Sequence, residues 1–441
     1  MSAWVCIIII VYLAVLVVCA RQTAPSEGYY STVTVFGVSA FIYYMAIPIE
    51  MALFDEEIRA AGDLVFLSPA QQVQISLMGL LAFVAFLVGY RFSKFVPFEG
   101  EEPADGPAPA ARPAGRIPKS LLILGAGSVV LLVLGFAPQL RSMSTYAGAY
   151  ETAYEHPVFS LLRTYAVMAA ALTAAVLVCR HRARPVLALI VVTPVFSWGV
   201  FSSDKDPILI GLLGLAAYFL GKRSRSPKLL LWIGGCAVAL MLLSPVFSMY
   251  RSGYTLSEAW HDYYFGVTKS DPRGPMISMA VVTAGDQPPA WGHTYLNNAL
   301  LWIPKFVWPE RPLDLSEAFA RDNMSDWSPG RGLGYSLLAE AYVNFWWFGP
   351  LIQYFLIGLL WGKVWALIRR AFSPVSAAYW SAVYGVFGFY LLTIMHRGPT
   401  PGITKTMLQI LAPLVLLTYI FDRALTHPAR VPTPVRGDGG A

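Results

Sequence analysis

Apolar residues run along this chain in long blocks separated by short polar stretches. The blocks are residues 4–20, 31–53, 72–91, 119–138, 157–179, 185–202, 207–221, 229–249, 344–366, 376–395 and 406–421. A hydrocarbon core about 30 Å thick takes roughly 20 mostly apolar helical residues. Lipid offers no partner for backbone polar groups, so the self-satisfied helix is the default spanning element. The pattern predicts an all-α, polytopic transmembrane helix bundle of about eleven helices over residues 1–421. The first block has no basic leader and no small-residue cleavage site, and Arg21 follows it, so it reads as a helix and not as a signal peptide.

Three polar segments interrupt or follow the blocks. Residues 97–118 are rich in Pro, Ala and acids and read as a disordered cytoplasmic linker; the tail 422–441 reads the same way. Residues 250–335 differ, because they mix aromatic, charged, Pro and Gly residues. This is expected to be one long external loop of short helices. Within it, WHDYYF (260–265) and LNNALLWIPKFVW (296–308) look like amphipathic pieces lying in the interface. Long loops of such composition usually carry function.

Composition agrees with the membrane reading. Only 13% of residues are charged, against roughly 25% in an ordinary soluble domain, and the mean hydropathy is +0.55. The net charge of +6 is spread over short loops, which speaks for membrane topology and against nucleic acid. Lys and Arg concentrate in and beside the loops after the first, third, fifth, seventh, ninth and eleventh blocks. The short loops of the other side hold only Arg59, Arg141, Lys205, Arg397 and Lys405. The positive-inside rule then puts the N-terminus outside and the C-terminus in the cytoplasm of a bacterial inner membrane. The four cysteines lie in or beside apolar blocks without metal-ligand spacing and read as small buried hydrophobes.

Candidate chemistry gathers at the external ends of the blocks. Ser202, Ser203, Asp204, Lys205 and Asp206 form a tight turn, and Arg251 follows the eighth block. Arg273, Arg311, Arg321 and Arg331 lie in the long loop, Glu340 is expected just inside the next helix, and His396 and Arg397 close the tenth block. Charges near membrane depth are functional hypotheses by default. Several guanidiniums at one mouth would suit a diphosphate, whose oxygens match the bidentate fork of Arg. Bland roles stand beside these. Arg251 and Arg397 can anchor at the headgroups, Arg311 can pair in solvent with Glu310, and most tryptophans can serve as an interfacial belt. No P-loop, metal-ligand cluster, dinucleotide fingerprint or serine elbow is present in the sequence, and neither a metal nor a cofactor is expected. No internal repeat marks an inverted-repeat transporter.

An ordered set of short pieces adds a family resemblance. Gly292-His293-Thr294-Tyr295 precedes Ile303-Pro304-Lys305 and Trp308-Pro309-Glu310-Arg311-Pro312. Gly334-Tyr335-Ser336, Ala339-Glu340-Ala341-Tyr342-Val343-Asn344 and Gly349 follow. In this order the chain resembles bacterial O-antigen and exopolysaccharide repeat-unit polymerases of the Wzy type, over about residues 200–400. It departs from them in placing Phe345–Phe348 where a second glycine is common, and Lys205 where an arginine is.

The resemblance implies a multi-helix, GT-C-like membrane glycosyltransferase without a metal, acting on polyprenyl-diphosphate-linked oligosaccharides at the external face. A chain-length regulator and a flippase are implied partners. On that reading Arg251, Arg273 and Arg397 hold the diphosphate, with Arg331 and Lys205 in reserve. Glu340, His293 and Asp204 are candidates for the base or for sugar hydroxyl bonding, and Glu340 is equally a candidate for orienting an arginine. An O-antigen ligase would use the same donor, and a carrier or flippase would bind the same head group without chemistry.

Overall fold

In the computed structural model of the chain, placement is described for residues 3–27, 30–53, 67–95, 166–171, 272–285, 288–301, 307–325, 333–370 and 383–407. Isolated positions such as Ile210, Val267, Ser270 and Trp380 are described between them. All regular structure among the described residues is helical. The linker 97–118, the tail 422–441 and nearly all of the blocks between 119 and 249 lie outside the described residues, apart from helical residues 166–171.

The described helices are α1 (Ala3–Glu27), α2 (Thr32–Tyr44), α3 (Ala46–Leu53), α4 (Pro69–Phe92), α5 (Arg273–Ala284), α6 (His293–Leu300), α7 (Leu315–Asn323), α8 (Leu337–Phe345), α9 (Phe348–Arg370), α10 (Phe389–Ile394) and α11 (Thr400–Thr406). A π-helical turn, Tyr384–Gly388, leads into α10. Among the described residues three helical segments, Ala3–Thr23, Pro69–Phe92 and Phe348–Ile368, are long and apolar enough to cross a membrane.

Each of these long helices has an apolar face with no protein cover. On α1, Val5, Ile8, Tyr12, Leu16 and Cys19 turn inward, while Trp4, Ile7, Ile10, Val11 and Val18 are exposed. On α9 the exposed stripe is Phe348, Ile352, Leu356 and Leu360, a strict four-residue spacing down one face. Helices apolar on every side suit a bilayer and not water.

Inside, α2 and α4 form the centre. Ser31 caps α2, and Ser68 with Gln71 forms a capping box on α4 with Pro69 in the first turn. Phe36 of α2 stacks on Phe86 of α4 at 3.8 Å between centroids, and Tyr12 of α1 stacks on Phe83 at 4.8 Å. The Tyr12 hydroxyl donates to the Gly37 carbonyl at 2.8 Å, which satisfies its polar end in an apolar setting. Helices α4 and α9 cross in backbone contact. A Cβ on Gly89 would drive into the Phe355 carbonyl, and one on Gly358 into the Phe86 carbonyl. Small residues at such crossings replace the hydrophobic drive that lipid cannot supply.

Two of the predicted blocks are broken, for one shared reason. The block 31–53 divides at Met45 into α2 and α3, and Pro48 sits in the first turn of α3. The block 344–366 begins only at Phe348 as α9, with Pro350 in its first turn. The preceding residues form the separate helix α8, which ends at Trp346 with φ 49°. A proline cannot donate to the carbonyl four residues back, and its ring clashes with that carbonyl. Those carbonyls belong to Tyr44 and Trp346, where the chain turns. Glu340 therefore lies in a short helix ahead of the span and not in its opening turn.

Candidate functional site

Helix α8 is set in place from its first residue. Ser336 accepts from the Leu338 N–H at 3.1 Å, and its own N–H donates to the Ser278 hydroxyl of α5 at 3.0 Å. One turn on, Glu340 is fully buried. Its Oε1 accepts from Asn298 Nδ2 at 2.7 Å and from the Thr294 hydroxyl at 3.3 Å, both of α6. Its Oε2 accepts from the backbone N–H and the hydroxyl of Thr400, at 2.6 and 2.8 Å. One carboxylate thus joins α6, α8 and α11.

The surrounding bonds point the same way. Asn344 donates to the Thr294 hydroxyl at 2.5 Å and to the Glu340 carbonyl at 2.8 Å. Tyr295 donates to Gln353 Oε1 at 2.9 Å, and Gln353 Nε2 faces the Thr400 hydroxyl at 3.5 Å. Donors run inward from two sides to a single acceptor. Burial raises the Glu340 carboxyl above its ordinary value, and the bonds from Thr400, Asn298 and Thr294 oppose that rise. Burial also raises the Tyr295 and Tyr335 hydroxyls, with a further push from the Glu340 charge.

The same turn that presents Thr400 carries Arg397, and a second buried network holds its other end. His396, fully buried, places Nδ1 3.0 Å from the Tyr44 hydroxyl and Nε2 3.1 Å from the Ser39 hydroxyl. Tyr44 and Tyr354 share a hydroxyl–hydroxyl bond of 2.7 Å. The imidazole stacks on Tyr43 and meets Phe36 at 5.1 Å. The five residues from His396 to Thr400 are pinned at both ends.

Arg273 opens α5, and its neighbour Gly274 packs against the backbone of Gly334, where a Cβ would fall 2.9 Å from the Gly334 nitrogen. A Cβ on Gly334 would stand 3.5 Å from the Arg397 carbonyl oxygen. The segments that carry Arg273 and Arg397 therefore meet at Gly334, with both arginines half-buried.

Other expected residues are placed elsewhere. His293 is exposed on the outer side of α6, with Nδ1 3.3 Å from Asn297 Nδ2; its neighbour Thr294 turns inward to Glu340. Arg311 turns back onto the chain instead of pairing in solvent. Its guanidinium donates to the carbonyls of Leu301 and, at 2.8 Å, Ile303, beyond the end of α6. Trp291 and Trp346 both hold φ 49° and are exposed, and Trp291 N–H bonds the Asn344 carbonyl at 3.1 Å, so they rim the site. Asp204, Lys205, Arg251 and Arg331 lie outside the described residues. Among the described residues no three His, Cys, Asp or Glu side chains gather as metal ligands.

The sequence reading missed Thr294, Asn298 and Thr400 as partners of Glu340, and Ser39 and Tyr44 as partners of His396. One signal was available. Thr294 and Asn298, like Glu340 and Asn344, stand four residues apart, the spacing that sets two polar groups on one helix face. No family model matches the chain, and neither a curated protein nor a solved structure matches it significantly.

Proposed function

We propose that this chain is a multi-pass membrane glycosyltransferase that joins polyprenyl-diphosphate-linked oligosaccharide repeat units into a surface polysaccharide. On this proposal about eleven helices cross the bacterial inner membrane, with the N-terminus outside and the C-terminus in the cytoplasm. The work is done at the external face, alongside a flippase that delivers the units and a regulator of chain length.

The observation that carries the reading is a convergence. The pieces on which the family resemblance rests, spread over residues 292–349, touch one another and the turn that carries Arg397. Thr294 and Asn344 share a bond, and Thr294 reaches Glu340. Gly349 packs on the Ala341 carbonyl, and Gly334 lies against Arg397.

In the proposed reaction a sugar hydroxyl of one unit attacks the anomeric carbon of the growing chain. A carbon–oxygen bond forms there, the bond to the polyprenyl diphosphate breaks, and the hydroxyl proton passes to a base. Arg273 and Arg397 suit the departing diphosphate, since preorganised cations stabilise charge without reorganising. Four donors already occupy Glu340, which favours its role as an orienter of the arginine turn over that of a base. His293, exposed beside this cluster, is the better candidate for hydroxyl or proton contact.

Polysaccharide size in a deletion strain tests the proposal, read on a gel and complemented with wild type, Arg273→Ala and Arg397→Ala. Single repeat units without long chains in the deletion, restored by wild type and not by the expressed variants, are the expected result. Chains of normal length left on the lipid carrier would mean a ligase. Unchanged glycans would end the glycosyltransferase reading.

A further inference from the structure

A second buried carboxylate is tied to the segment that carries Arg273, as Glu340 is tied to the turn that carries Arg397. Glu50, near the end of α3, is 5% exposed. Its Oε1 accepts the backbone N–H of Val267 at 2.9 Å, across 217 residues of chain. From Val267 two successive backbone bonds lead to the arginine. The Val267 carbonyl accepts from the Ser270 N–H at 3.0 Å and from its hydroxyl at 2.8 Å. The Ser270 carbonyl then accepts from the Arg273 N–H at 3.0 Å. On the other side, Glu340 accepts the Thr400 N–H at the end of the turn that carries Arg397. The two arginine segments meet at Gly334, whose backbone leaves no room for a side chain on Gly274.

A buried carboxylate in a membrane protein is expensive unless it is held, and each of these accepts a backbone N–H from a segment that carries an arginine. We infer that Glu50 and Glu340 are positioning residues that set the spacing of Arg273 and Arg397 as a two-cation clamp for a lipid-linked diphosphate. This rests on the glycosyltransferase reading above and deepens it. Each acid has its own arginine: Glu50 acts through Arg273, and Glu340 acts through Arg397. Each guanidinium can grip one phosphate through its own fork, so holding both phosphates of a diphosphate depends on the separation of the two arginines, and displacing either turn weakens binding without removing any cation.

The test uses the full chain in lipid nanodiscs, with farnesyl diphosphate as the probe, read by calorimetric titration. Arg273→Ala and Arg397→Ala each weaken binding about tenfold. Glu50→Ala weakens it by a similar factor alone and adds nothing in the Arg273→Ala background, yet multiplies fully with Arg397→Ala; Glu340→Ala gives the reverse pattern. Glu50→Gln, which keeps an oxygen for Val267, recovers most of the loss. Glu50→Asp, which keeps the charge and shortens the reach, serves where the alanine variant fails to fold; it weakens binding and couples only to Arg273. If wild type binds no diphosphate, the reading of the site falls and takes the clamp with it. If wild type binds and the arginine variants lose binding, but the acid variants combine equally with both arginines, the positioning roles alone are overturned.

Discussion

Thr400 directs both its backbone N–H and its hydroxyl at one oxygen of Glu340, at 2.6 and 2.8 Å, across 60 residues of chain. With Thr294 and Asn298 on the other oxygen, the carboxylate is the joint between α6, α8 and α11. A buried donor left without an acceptor costs about 1–3 kcal/mol, and Glu340→Ala strands several together. The expected loss is about 3 kcal/mol or more, seen as a lower midpoint in thermal melts of the detergent-purified chain. Glu340→Gln loses less, since it keeps one oxygen for Thr400. An alanine variant melting with wild type would mean that Glu340 does not hold the three helices together.

Acidity gives a second handle on the same group. Burial raises the Glu340 carboxyl above its ordinary 4.5. A raised carboxyl is relieved by protonation in the folded state first. Its ionised form therefore costs stability above the folded value, and that cost fades as pH falls through it, being gone below 4.5. The difference in melting midpoint between wild type and Glu340→Gln should move in favour of wild type on acidification from about pH 7. A difference that stays flat over that range contradicts the raised value.

The crossing of α4 and α9 predicts a contrast among glycines. Gly358→Ala and Gly89→Ala each push a methyl into a backbone carbonyl of the other helix, which cannot yield as a side chain end can. Each should cost about 1–3 kcal/mol. At Gly402 the nearest atom to an added Cβ is 4.0 Å away, and Ala is the better helix former by up to about 1 kcal/mol. Gly402→Ala should hold or raise the melting midpoint while the other two lower it.

The Tyr44 hydroxyl links His396 to Tyr354, so it has an outsized effect. Tyr44→Phe leaves His396 Nδ1 and the Tyr354 hydroxyl each short of a bond at full burial. The expected cost is about 1–2 kcal/mol. Tyr354→Phe added to it should cost less than its effect alone, because the two changes remove one shared bond. Strict additivity in chemical or thermal unfolding would mean that the hydroxyl pair contributes nothing.

Part of the described fold was legible in the chain. The apolar blocks at 4–20 and 72–91 coincide with α1 and α4, because the length of an apolar run decides directly whether a helix can cross lipid. The breaks at Met45 and Trp346 were also latent there, in Pro48 and Pro350, since a proline's missing donor acts on its own turn.

The site was legible only in part. Glu340, Arg273 and Arg397 stood out in sequence because a charge beside an apolar block is costly and must have a reason. That reason depends on partners far away in the chain: Thr294 and Thr400 for Glu340, Val267 for Glu50, Tyr44 and Ser39 for His396. Thr, Ser and Tyr are ordinary helix residues until packing removes water and leaves a particular acceptor within reach. Hydropathy and proline act locally, so the sequence by itself determined that α1, α4 and α9 are helical and of membrane length. Hydrogen bonds between segments hundreds of residues apart depend on how those helices cross, and the tertiary structure alone decided that the segments carrying Arg273 and Arg397 meet at Gly334.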